Sequence, residues 1–158
     1  MVYWFSIMKK SYLFTRGFTL LELLVVISII GILMAIGATS FSTAQKRGRD
    51  SRRMGDMKSI QKALELYYAV NNSYPDIVVS GGTIGSSPNV TMEMVPADPK
   101  GGIGFIYTYT KDSATPPNKY CVCAKTENAN VANATANGSG ICTYSTTSPT
   151  LFCVSNQQ

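Results

Sequence analysis

The chain contains no histidine. That removes the imidazole base of the usual Ser-His and Cys-His nucleophile pairs. Acidic residues are also few, nine against fourteen Lys and Arg, and they are scattered along the sequence. No pair is spaced like the two carboxylates of a hydrolytic site. A glycine-rich run at residues 81–87 lacks the Lys-Ser/Thr pair that touches phosphate and metal, so it is not a phosphate loop. These absences exclude common enzyme classes and give no reason to expect a cofactor. The chain has no cysteine before Cys121 and no proline between Phe18 and Val70. Across the 24 residues from Phe18 to Phe41, Glu22 is the only ionisable side chain.

That last stretch organises the rest. A helix of this length reaches roughly 36 Å, enough to cross a hydrocarbon core of about 30 Å. A carboxylate inside a bilayer costs on the order of 2.5–3.5 kcal/mol, so an intramembrane acid is normally paired and functional. The cations near Glu22 are Arg16 and the two lysines Lys9 and Lys10, all ahead of Gly17. If the chain is cut after Gly17, the new α-amino group of Phe18 supplies a further cation, on the same chain or on a neighbour. A protonated Glu22 turned toward the interface is the alternative.

Arg16-Gly17 followed by Phe18-Thr19-Leu20-Leu21-Glu22 resembles the prepilin-peptidase site of type IV pilins and type II secretion pseudopilins. The resemblance extends through residues 49–56 and 60–68 to about Pro75. It implies cleavage between Gly17 and Phe18, N-methylation of Phe18, and Glu22 as the assembly charge that pairs with a neighbouring subunit's N-terminus. Many members carry a proline near mature position 22, where this chain has Thr39. Loosening of the helix during assembly then rests on Gly31 and Gly37, whose other reading is close helix packing. Some pseudopilins have a C-terminal calcium loop; nothing after Glu127 is acidic here, and no metal site is expected.

Loss of Lys9, Lys10 and Arg16 with the leader takes the formal charge from +5 to +2. Residues 1–7 are aromatic and apolar, whereas Met8-Lys9-Lys10-Ser11 reads as an ordinary leader start, which makes Met8 the expected translation start. Cleavage ahead of the apolar run distinguishes this segment from a secretory signal. Topology by charge is ambiguous: three cations precede the span, while Lys46, Arg47, Arg49, Arg52 and Arg53 follow it. That count places the C-terminal part in the cytoplasm; the resemblance and the cysteines place it outside.

From residue 42 to about 71 the helix is expected to continue as an amphipathic one. Met54, Met57, Ile60, Leu64 and Tyr67 form an apolar stripe. Arg49, Asp50, Arg52, Arg53, Asp56, Lys58 and Lys62 are read as its solvated surface, with Asp50 and Asp56 free to pair with arginines of adjacent subunits. Gly48 and Gly55 are its weak points. Residues 46–62 carry a local +5, suited to lipid headgroups or neighbouring subunits. Direct nucleic-acid binding is disfavoured, because no aromatics interleave among residues 46–58.

Beyond the helix, residues 77–79 read as a short strand and residues 104–110 as the clearest one. Residues 119–124 return antiparallel to it, and further strands are expected at 140–144 and 150–154. Residues 127–140 read as an exposed loop. All four cysteines, Cys121, Cys123, Cys142 and Cys153, lie in this part. Outside the cytoplasm an even number in a small domain favours disulfides, with three pairings open. Cys121 and Cys123 share a strand face, so each is expected to pair with a later cysteine. Free thiols and zinc are the alternatives, and the spacing matches no common finger. Sequons at Asn133 and Asn137 are cheap matches in so Asn- and Thr-rich a composition.

The expected fold class is α+β and pilin-like: a long N-terminal helix, half transmembrane and half amphipathic, on a small antiparallel sheet. The expected segments are a leader at 1–17, a span and filament core at 18–41, the amphipathic helix at 42–71 and a β domain at 72–158. The resemblance implies a structural subunit of a type IV pilus or pilus-like filament. Its implied partners are the prepilin peptidase and methyltransferase, further copies and related pilins, the inner-membrane assembly platform and motor ATPase, and membrane lipid before assembly. The alternatives are a secretion pseudopilin and a membrane-anchored binding domain that never polymerises.

Overall fold

A computed structural model describes residues 17–157; residues 1–16, including both candidate start methionines, lie outside them. Helix α1 spans Leu20–Asn71, and the chain divides into two compact units between Ser40 and Phe41. In the first unit the helix is unbroken through Gly31 and Gly37, and a Cβ at either glycine would meet open space. Its large apolar side chains, from Phe18 to Ile36, are exposed. Nothing in the described chain covers them. By length and composition this is a helix able to cross a membrane.

In the second unit α1 lies on a five-stranded antiparallel sheet. The strands are β1 (Thr108–Lys111), β2 (Tyr120–Lys125), β3 (Ala134–Gly138), β4 (Ile141–Tyr144) and β5 (Leu151–Ser155), in the order β1-β2-β5-β3-β4. The helix ends where Asn72 adopts φ 50° and donates its N–H to the Tyr68 carbonyl. Asn is among the few residues that tolerate this left-handed state, and Pro75 follows closely. Met57, Ile60, Ala63 and Leu64 are buried on one helix face, as the 3–4 spacing predicts. They share a core with Tyr120, Val122 and Ala124 of β2 and with Tyr74, Val78, Ile84, Val95 and Tyr107. Burying side chains of the size of Met57, Ile60 and Leu64 stabilises by about 1.5–3 kcal/mol each.

Strand β2 is buried on both faces. Its even-numbered residues face the helix, while Cys121 and Cys123 join Ala134, Cys142 and Cys153 in a second, smaller core. This second core exists because β3 and β4 fold back over the outer face: Asn137 of β3 donates to Thr108 Oγ1 of β1 at 2.8 Å. The β3–β4 turn also seats against the β1–β2 hairpin. A Cβ on Gly140, at φ 74°, would collide with the backbone of Lys111 and Asp112.

Four readings from sequence are corrected here. The strand expected at residues 104–110 begins only at Thr108, because Phe105 is drawn under cationic side chains and Gly104 turns the chain at φ 84°. Residues 77–79 form no strand; the local pairing is a single bridge between Ile84 and Met92, where Gly85 at φ 95° passes against the Asn89 carbonyl. Residues 127–140 are not an open loop but hold a 3-10 turn, Ala129–Val131, and strand β3. Finally, Asp50 and Arg53 are buried, not solvated.

Disulfides join Cys121 to Cys142 and Cys123 to Cys153. The first ties the folded-back β4 to β2 across a sequence separation of 21 residues, for which loop entropy gives about 3 kcal/mol. Most of the β3–β4 side chains are exposed, so little apolar burial replaces that link. Replacing Cys121 and Cys142 by Ser is therefore expected to speed amide hydrogen exchange across residues 134–144 while protection at Met57–Leu64 persists. Equal loss of protection in both regions would show that the two cores melt as one.

Candidate functional site

The first candidate site lies at the helix start. Thr19 caps α1: its Oγ1 accepts the N–H of Glu22 at 3.1 Å. In return Glu22 Oε2 accepts the Thr19 N–H at 2.8 Å and its hydroxyl at 2.9 Å. This is a capping box, the reciprocal satisfaction of two orphan donors at a helix N-terminus. It was legible in the sequence as Thr-x-x-Glu before an apolar run, and the reading of Glu22 as a lone charge missed it. Both bonds use Oε2, so Oε1 stays open on an exposed carboxylate, free to take a cation while the cap remains intact. A Cβ on Gly17 meets nothing within 4 Å, so the fold itself makes no steric demand for glycine there. The cations Lys9, Lys10 and Arg16, which precede Gly17, lie outside the described residues.

The second cluster sits within the C-terminal unit and was missed in sequence. Arg53, with a side chain 0 % exposed, forks onto Asp98 at 2.6 and 2.8 Å and reaches Asp50 at 2.7 Å and Glu127 at 3.0 Å. Arg49 makes a second fork onto Glu127 at 2.7 and 2.8 Å, and Lys100 adds a contact at 3.5 Å. Asp50 also accepts the backbone N–H groups of Glu127 and Asn128. Arg53 lies 5.0 Å from the Phe105 ring centre and Lys100 Nζ 4.1 Å. Among the described residues every buried side-chain nitrogen and oxygen has a partner. The spacing of Asp50 and Arg53 hinted at a pair; nothing local pointed to Asp98 or Glu127.

The Arg49 fork pulls the Glu127 pKa from 4.5 down to about 2, with burial opposing and Arg53 adding to the pull. At Asp98 burial pushes upward, but Arg53 and the Lys100 amide outweigh it and leave the group below its ordinary value. Both folded pKa values are depressed, so their stabilisation is complete above the unfolded values and is lost as pH falls through the folded ones. For Glu127 the window runs from pH 4.5 down to about 2. Urea unfolding of the full chain in neutral detergent should therefore show a midpoint that falls below pH 4.5, and Glu127→Gln should flatten that fall. An identical pH slope in the two proteins would remove Glu127 from the account.

A tyrosine cluster lines the far end of the helix. Glu65 accepts from Tyr120 at 3.1 Å and from Tyr74 at 3.3 Å, and the Tyr74 ring sits 4.7 Å from Tyr68 and 4.6 Å from Tyr120. These rings belong to the core or its edge, consistent with packing and not a ligand cage. The sequon asparagines are likewise engaged: Asn133 bonds the Cys153 backbone in both directions, and Asn137 bonds Thr108.

The family described as the prokaryotic N-terminal methylation motif matches residues 15–38. The type IV wide pilus major component PilA4 of Thermus thermophilus is 38% identical over 85 residues, 52% of this chain and 65% of that protein. The type IV major pilin protein PilA of Myxococcus xanthus is 38% identical over 61 residues, 39% of this chain and 28% of its own length. The type II secretion system core protein G of Klebsiella michiganensis is 30% identical over 98 residues, 55% of this chain and 69% of that protein. The chain thus spans less than two thirds of the length of these two pilins. No solved structure gives a significant match.

Proposed function

The chain belongs to the type IV pilin and type II secretion pseudopilin family, and on that premise we propose that it is a structural subunit of a type IV pilus or pilus-like filament. One observation carries this reading. The methylation-motif match at residues 15–38 coincides with Gly17-Phe18, with an acid at the fifth mature position, and with a helix whose apolar side chains are exposed among the described residues. Prepilin peptidase cuts after Gly17 and methylates Phe18. The subunit waits in the inner membrane, then enters a helical filament with other copies through an assembly platform and motor ATPase. Glu22 meets the N-terminal amine of a neighbour there, and its open oxygen suits that role. Gly31 and Gly37 let helices approach closely. The role is structural and non-catalytic, in adhesion, motility or DNA uptake.

The placement of the C-terminal unit outside the cytoplasm is supported by its two disulfides, since cytosolic thiols are kept reduced. That weighs against the count of cations after the span. A second reading, a pseudopilin of a type II secretion system, is favoured by the match over 69% of a core protein G. The deciding experiment is the N-terminal sequence and intact mass of protein in sheared cell-surface material. A methylated Phe18 start in that fraction is the expected result. A Phe18 start found only in the cell envelope would favour the pseudopilin, and a retained Met1 or Met8 would favour an anchored protein that never polymerises.

A further inference from the structure

The basic cluster after the apolar run is not electrically uniform. Arg49 and Arg53 are consumed by Glu127, Asp50 and Asp98, and Arg52 lies 4.0 Å from Asp56. Among the described residues, Lys46 and Arg47 have no carboxylate partner. They sit with Thr43 at helical positions i, i+3 and i+4, so the three share one face of α1. That face forms one wall of an open crevice of about 340 Å³. Asn128, Ala129 and Asn130 line it as well, together with Glu127. The Glu127 carboxylate is already held by two arginines and a lysine, so it does not cancel the charge of Lys46 and Arg47. The Asn128 side chain is spent on the Asn130 N–H, but the Asn130 side-chain amide is exposed and uncommitted.

We propose that this crevice, between Thr43, Lys46 and Arg47 on α1 and Asn128–Asn130 on the 3-10 turn, binds the phosphate of an anionic lipid headgroup. Two cations and an amide donor converging on one opening match a phosphate diester, which offers only acceptors and negative charge. The placement along the chain selects lipid over a soluble phosphate. Thr43 to Arg47 fall two to six residues after Phe41, the last residue of the apolar run, which at about 1.5 Å per residue is roughly 3–9 Å past it. That is where headgroup phosphates lie beside a spanning helix. Bound there, a headgroup links the globular unit to the leaflet surface before assembly, through residues on two separate elements. The inference rests on reading residues 18–41 as a membrane span.

The test is a titration of the full-length protein in neutral detergent with short-chain phosphatidylglycerol, followed by NMR at the Arg47 Nε–H and the Asn130 side-chain amide. Saturable shifts of both groups are expected. Each cation near an anionic surface is worth about fivefold, so Lys46→Gln with Arg47→Gln should weaken binding about 30-fold at low salt, read at Asn130. Lys58→Gln with Lys62→Gln makes the same change in net charge elsewhere on α1 and should cost less than about twofold, since distant exposed charges are screened. Equal losses in the two double variants would overturn the proposal. So would equal affinity for phosphatidylcholine, for inorganic phosphate or for a DNA duplex. Carbonate washing of membranes holding wild-type protein separates the premises. Protein that washes off defeats the span, whereas protein that stays but gives no titration defeats the headgroup site alone.

Discussion

Replacing Arg53 with Met destabilises the C-terminal unit by about 3–5 kcal/mol, the range for removing one partner from a buried charge cluster. Methionine keeps much of the arginine stem's volume, so the loss comes from the carboxylates left behind. Asp98 loses both arms of its fork and keeps only backbone support from Lys100 and Gly101. Asp50 fares better, because the Glu127 and Asn128 amides still hold it. Adding Asp98→Asn to Arg53→Met should therefore recover part of the loss, while the single Asp98→Asn change should be costly by itself. Urea unfolding of the full chain in neutral detergent, followed by tyrosine fluorescence, measures all three. A loss below about 1 kcal/mol for Arg53→Met, the range of an exposed pair, would mean the cluster is wetter than its geometry implies.

Glu22→Ala yields processed, membrane-bound protein and filament at background level. The capping box makes this result ambiguous alone, since alanine removes both the charge and half of the cap. Two further variants separate the contributions. Thr19→Ala breaks the cap at a cost of about 0.5–2 kcal/mol, small for so long a helix held in a bilayer, and should leave filaments near wild-type yield. Glu22→Gln keeps the box, in which Gln serves as well as Glu, and deletes only the charge. Filaments should again be lost. Quantifying sheared filaments beside the mass of the membrane-bound subunit reads assembly and processing together. Wild-type yield from Glu22→Gln would sink the assembly-charge role and leave Glu22 as a helix cap.

The elements legible in the sequence were those whose signal is local and repeated. The apolar run needed only length and composition. The stripe of Met57, Ile60 and Leu64 followed from helical spacing, and the hairpin returning through Tyr120 followed from alternation. Element ends were less secure. The alternation of Phe105, Tyr107 and Tyr109 suggested a strand from Gly104, yet pairing began only at Thr108. Backbone partners, not alternation, decide where a ladder starts. Strand β3 was invisible because Ala134-Thr135-Ala136-Asn137-Gly138 has neither apolar alternation nor β-branched density. It is a strand because β4 and one end of β5 offer it partners.

By itself, then, the sequence determined the membrane-length helix, the single acid in its first turn, the cleavage-like junction at Gly17-Phe18 and the cysteine content of the β part. Each is a property of neighbours along the chain, set by helix rise, helical periodicity or composition. Only the tertiary structure decided which charges are free and how the cysteines pair. Arg53 and Lys46 are equally basic as letters. The difference is that Asp98 and Glu127, 45 and 74 residues away from Arg53, fold onto it, while among the described residues no carboxylate pairs with Lys46. Charge is assigned by the sequence, but its neutralisation depends on distance in space, and local pattern carries no record of that.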